Sequence, residues 1–481
     1  MSEAQSTQPA PAAAAESDAS CRFPLLLIFF CAACWLIIGS GFALIASIKF
    51  HSPAFLADSA WLTYGRVQPA STNCLLYGFC LQAGLGVALW LLARLGRTSL
   101  AQPLLVVVGT LLWNAGVKLG VFGILCGDST GFRSLEMPGY AAWIIMLGYL
   151  LIALPGVLTF HQRRERQLFV SQWFILAALF WFPWIYATAE LLLVASPVRG
   201  AAQVAICGYY QANLGVIWLA LVGLAASFYF ISALTQRELQ SRYLGLLVFW
   251  MLILFGGWGG IANGAPLPAW MPALSAVTTM LLAVPLLAVA LSVHRTLDGK
   301  WSRLAASPPL QFIGLGVVSF LVAGLIKLVC TWADMYCPLS STWITPAQEL
   351  LNSYGFFSLM MFGAVYAILP RLTRAAFPSP GLVRAHFWLA LLGVLLTVVP
   401  LSVCGVIEAR LLNDPGVAFM AVVKSTLHFL RVSTMGELFL ALGHVLFLLN
   451  VVGLALRFYR PRAVAAYVAA TVDLSAAQAK P

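Results

Sequence analysis

Apolar positions along this chain run in long unbroken blocks, without the alternation of period 3.6 or 2 that marks half-buried helices and strands. The block from Phe23 to Ile48 is typical, because apart from Ser40 and Ser47 it carries no hydroxyl, amide or charged side chain. Each block is bounded by a cluster of Arg, Pro, Gly or Asn and has about the 20 residues that a helix needs to cross roughly 30 Å of hydrocarbon. In that solvent every backbone amide must be paired within its own segment, so the blocks are helices. Twelve are expected, over residues 24–46, 72–94, 102–126, 139–160, 168–194, 202–234, 243–263, 271–293, 310–331, 346–369, 386–407 and 427–456. The predicted fold class is all-α, a polytopic membrane bundle of twelve transmembrane helices. Its organisation is a disordered cytoplasmic tail over 1–22, the membrane domain over 23–457 and a second cytoplasmic tail over 458–481.

Composition agrees, with 61% of the 481 residues hydrophobic and 9% charged, far from the balance of a soluble domain. The net charge of +11 is unevenly placed. One alternate set of loops, with the tails, holds 18 Lys and Arg, among them Arg94, Arg97, Arg163, Arg164, Arg166 and Arg371, against 6 in the other set. By the positive-inside rule both termini are expected in the cytoplasm, with the chain in the inner membrane. The basic residues are scattered singly and form no stripe, so nucleic acid is excluded as a partner. Residues 1–20 lack a basic n-region and an apolar h-region, and are not read as a signal peptide. No loop is long enough for a soluble domain, so chemistry must be built from side chains of facing helices.

Metal chemistry at mid-depth would need imidazoles on helices that face one another. The chain has six histidines, and His51, His161, His294, His386 and His428 fall at or near the ends of expected spans, leaving His444 deep. His428 and His444 share one helix about 24 Å apart and cannot serve one iron.

Several stretches nevertheless carry a resemblance. YGRVQPASTNC at 64–74, GDSTGFRSLEMP at 127–138, LFVSQWF at 168–174, FGAVYAILPRL at 362–372 and LRVSTMGELFLALGHVLFLLN from Leu430 occur in order and at suitable spacing. They resemble the catalytic subunit I of the haem-copper oxidases, most closely the cytochrome cbb3-type branch, from the first helix to the last. The resemblance implies a terminal oxidase with haem b and copper, proton pumping and respiratory partners. It also says where ligands should stand. The helix 2 histidine of the family falls on Ser71, the helix 6 copper ligand on Gln211, the paired histidines of helix 7 on Ala262 and Asn263, and the crosslinked tyrosine near Gly256. The two haem-binding histidines of helix 10 fall on Gln348 and Leu350. A slip in alignment does not help, because no histidine occurs between His51 and His161, His161 and His294, or His294 and His386. The expectation is therefore an oxidase-like scaffold without haem or copper ligands, and no cofactor unless the resemblance outweighs the missing ligands.

Ionisable residues inside spans are costly and therefore informative. Lys118, Glu190, Lys327, Glu349, Glu437 and His444 are the inward-facing candidates, with Glu349 expected to pair with Lys327 across the helix 9 and 10 hairpin. Pairing that locks helices together is the preferred reading, and a retained proton or ion path is the alternative. Cys31 and Cys34 read as buried small side chains, while Cys330 and Cys337 flank an outer loop where a disulfide is permitted. Three functions stay open. The preferred one is a non-catalytic structural or docking partner for other membrane subunits or cytochromes of a respiratory complex. The others are a working cytochrome c oxidase subunit I and a path for protons or a small solute.

Overall fold

The computed structural model describes residues 11–239, 241–261, 264–334 and 339–478, so Ala262, Asn263 and Cys337 lie outside the described residues. Among the described residues there is no strand. The helices are α1 Pro11–His51, α2 Tyr64–Gly96, α3 Pro103–Cys126, α4 Gly139–His161, α5 Val170–Ala195, α6 Ala201–Thr235, α7 Arg242–Trp258, α8 Trp270–Leu297, α9 Pro308–Ala333, α10 Ile344–Thr373, α11 Pro380–Leu412 and α12 Phe419–Gln478. Connections are short, so sequential helices run antiparallel as neighbours, α3 on α4 and α11 on α12 most extensively. α1 also packs along α12, which closes the bundle by joining its two ends.

Eleven of these are long and apolar enough to cross a membrane, not the expected twelve. α7 is the exception. Its regular helix stops at Phe255 and a tight turn follows over Gly256–Trp258. The cause is close approach, since a Cβ on Gly260 (φ +90°) would sit 3.0 Å from the Gly208 carbonyl of α6. A backbone that close needs glycine, and the chain has already left the helix at Gly259, which is extended (φ −71°, ψ 176°).

Helix extends beyond the expected spans at both ends of the described chain. The described chain is helical from Pro11 onward, and an alanine run favours it. The polar residues there are placed by the end of α2 and the connection after it: Ser17 donates to the Thr98 carbonyl at 2.7 Å, and Asp18 accepts from the Trp90 indole at 3.0 Å and lies 3.6 Å from Arg94. At the other end α12 continues through Pro461 to Gln478, so the region beyond 458 is helical.

α2, α6 and α10 form the centre, with 94%, 89% and 89% of their most apolar windows buried, against 39–56% for the others. Each central helix widens into π-helical turns, over Cys74–Leu81, Asn213–Trp218 and Leu351–Ser358. Such turns insert an extra residue per turn and re-aim the side chains around them. Small residues let the outer helices close up: a Cβ on Gly148 of α4 would lie 2.7 Å from the Trp113 amide nitrogen of α3. Gly116 faces Ile145 of α4 in the same way, and Gly120 faces Met137 just before α4. Lys118, two residues from each, is turned about 200° away and is exposed. The expectation that it faces inward is wrong for that reason.

Candidate functional site

α2 is positioned from its first turn. Arg66 donates to the Leu125 carbonyl at 3.0 Å, and its guanidinium lies against Gly127, which ends α3 in a left-handed conformation. A cation at the last carbonyls of α3 also opposes the negative end of that helix. The loop over 127–138 then folds across α2. Asn73 donates to Glu136 at 2.8 Å, and the Tyr77 hydroxyl donates to the Ser134 carbonyl at 2.7 Å. Burial pushes the Glu136 carboxyl above its ordinary value, opposed by the Asn73 hydrogen bond and by Arg133.

Under this loop lies a cavity of about 340 Å³ between α1, α2, α10, α11 and α12. Its polar wall includes Glu136, Glu349, Glu437, Arg133, His444, Ser71 and Tyr354. Arg133 forms an ion pair with Glu349, each side chain about half exposed (49% and 45%). The expected Glu349–Lys327 pair is therefore not made. Glu349 sits on the cavity side of α10, while Lys327 lines a smaller space of about 70 Å³ with Gln348 and Asn352.

His444 is buried in the wall, and both of its nitrogens are engaged. Nδ1 lies 2.5 Å from the Ser40 hydroxyl and Nε2 lies 2.7 Å from the Tyr354 hydroxyl, so one imidazole ties α12 to α1 and α10. Ser71, 9% exposed, borders the cavity, and its hydroxyl makes no hydrogen bond among the described residues. Leu350 borders it too. Gln211 is half-buried near the end of the first section of α6. Ser71, Gln211 and Leu350 all stand within one turn before a π-helical stretch, at 74, 213 and 351 respectively. The amides beside them are structural. Asn213 accepts from the Trp181 indole at 3.0 Å and donates to Tyr209 and Gly257 carbonyls, holding α5, α6 and α7 together. Asn352 donates to the Gly215 carbonyl at 3.2 Å.

Glu190 is 1% exposed beside Tyr186, and neither carboxyl oxygen makes a hydrogen bond of ordinary geometry. His386, expected at a span end, is also buried. α11 begins six residues before it, at Pro380, so it is fully buried among Phe312, Phe362 and Phe447 with Nδ1 2.9 Å from the Tyr366 hydroxyl. Arg133, Glu136 and Tyr354 were also missed, the first two because they sit in a polar loop and the third because tyrosine blends into an apolar block. Among the described residues no three His, Cys, Asp or Glu side chains converge where they could hold a metal ion.

Comparison with known proteins bears on this scaffold. The profile of the family described as "Cytochrome C and Quinol oxidase polypeptide I" matches residues 24–439. The chain is similar to the Cbb3-type cytochrome c oxidase subunit CcoN1 of Stutzerimonas stutzeri, at 22% identity over 403 residues, covering 81% of this chain and 85% of the relative. It is 26% identical over 408 residues to the bacteroid cytochrome c oxidase subunit 1 homolog of Bradyrhizobium diazoefficiens, covering 80% and 72%. With the cytochrome c oxidase subunit 1 homolog of Azorhizobium caulinodans the identity is 24% over 391 residues, covering 78% and 70%.

Proposed function

The chain belongs to the cytochrome c and quinol oxidase polypeptide I family, and from that membership we propose a multi-pass membrane protein that keeps the oxidase scaffold without haem or copper, serving as a structural or docking subunit of a respiratory complex. The observation that carries this reading is the donor chemistry at the positions to which the resemblance assigns ligands, of which Ser71 and Leu350 border the 340 Å³ cavity and Gln348 the smaller space. Haem iron takes imidazole, thiolate, thioether or phenolate donors, and copper takes imidazole or sulfur. The positions to which the resemblance assigns ligands carry a hydroxyl at Ser71, amides at Gln211 and Gln348 and an alkyl chain at Leu350. His444, the imidazole in that wall, has both nitrogens committed to hydroxyls. These residues do not fit a haem, and no step is routed through one.

What the polar side chains near these positions do is hold helices. The Ser40–His444–Tyr354 triad joins three helices, and Asn213 joins three others. Interhelical hydrogen bonds in membrane bundles average about 0.6 kcal/mol each, so such a set preserves the scaffold's shape after its chemistry has gone. Other membrane subunits or cytochromes of a respiratory complex are the partners, and the chain lies in the inner membrane with both termini cytoplasmic, as the loop charges favour.

A pyridine haemochrome spectrum and a copper determination on the purified protein test this. Fewer than about 0.1 haem per chain is expected from the donor set. One haem b per chain would return the protein to the catalytic reading.

A further inference from the structure

A scaffold that had only lost its pigment would be expected to fill the vacated space with apolar side chains, because unpaired polar groups are costly in a membrane. The cavity under the 127–138 loop has the opposite character. Its volume of about 340 Å³ falls in the range of small-molecule sites, and its wall carries three carboxylates, Glu136, Glu349 and Glu437, against one cation, Arg133. That cation is already paired with Glu349. Lys49, near the same end of α1, is spent on the Phe55 carbonyl at 2.5 Å, and the His444 ring on its two hydroxyls. Half-buried Glu437 forms no side-chain ion pair or hydrogen bond among the described residues, and the Ser71 hydroxyl on the same cavity wall makes none either.

Three aromatic rings complete the wall. Phe50 lies 4.9 Å from Tyr64 and 4.7 Å from Trp343, ring centre to ring centre, and all three border the cavity. Aromatic rings and carboxylates lining one cavity are the combination that recognises an organic ammonium group. An anion would find no free cation here, and an apolar guest would leave Glu437 unsolvated. A bare metal ion lacks the convergent ligand set.

We propose that this cavity binds a small alkylammonium cation, its charge neutralised by Glu437 and the aromatic cluster of Phe50, Tyr64 and Trp343, with a hydroxyl available at Ser71. The site rests on the reading that no porphyrin occupies the same space.

The test uses the full-length protein in detergent and choline as probe, titrated by calorimetry. The control is choline's neutral isostere, the alcohol bearing a tert-butyl in place of the trimethylammonium group. Choline should bind saturably at one site, at least about tenfold tighter than the isostere, and Glu437→Gln should weaken it about tenfold. Ser71→Leu, which fills the wall without touching a charge, should weaken both compounds, and Glu190→Gln, away from the cavity, should bind as the parent does. Equal binding of choline and the isostere, or no saturable binding, overturns the proposal. Haem is measured on the same sample: no pigment and no choline binding defeats this inference alone, whereas one haem per chain defeats the reading beneath it as well.

Discussion

At the scale of single residues, burial of polar groups sets the measurable behaviour. Glu136 has its proton affinity raised by burial, so the folded state holds a proton that the unfolded chain releases. The stabilising contribution is fully present below the ordinary glutamate value and is lost as pH rises through the raised one. Between about pH 4.5 and the raised value, melting temperature should fall with pH, and Glu136→Gln should flatten that slope when thermal unfolding is followed in detergent. A wild-type curve that rises over the same interval would contradict the assignment. Tyr354→Phe removes one hydrogen bond of the His444 triad and should cost about 0.6 kcal/mol, up to about 1.7, in an unfolding titration. Little of this was legible in the sequence. That Ser71 carries a hydroxyl where the resemblance places a histidine is legible, but that it faces an open cavity is not. Arg133 lies in a loop of ordinary composition, and only the fold brings it to Glu349 across 216 residues.

Elements were easier to read, because the hydrophobic blocks report directly on membrane crossing. α3 and α4 match their expected spans to within a residue. Errors fall where polar residues belong to a helix for tertiary reasons, as at Ser17 and Asp18 of α1, or where backbone contact stops a helix inside an apolar run, as at Gly260 after α7. Lys118 was misplaced because an unbroken block hides which face is inward, and the stripe of Gly116 and Gly120 decides it. Helix pairing makes a sharp prediction. Gly148→Ala would drive a methyl group to 2.7 Å from backbone of α3, which cannot yield as a side chain would, and should destabilise by about 1–3 kcal/mol. Gly41→Ala has nothing within 4 Å of the new carbon and should be neutral or slightly stabilising, since glycine is a poor helix former. Reversing that order in a pair of thermal melts would refute the packing.

For the whole molecule, the resemblance located the scaffold and the family match bears it out, while the cavity's polar wall was beyond sequence reasoning because five helices and a loop contribute to it. Reporter fusions at each terminus should read cytoplasmic at both, and a periplasmic signal at either would invert the charge argument. The closure of α12 onto α1 also has a consequence for how the protein is made. Ser40 must wait for His444, 404 residues downstream, before their hydrogen bond can form. At about 5–20 residues per second, that is roughly 20–80 s during which a finished first helix sits in the bilayer without its closing partner. The nascent chain therefore depends on its last helix to complete a wall begun by its first, and a ribosome that stalls late leaves an open ring for membrane proteases to find.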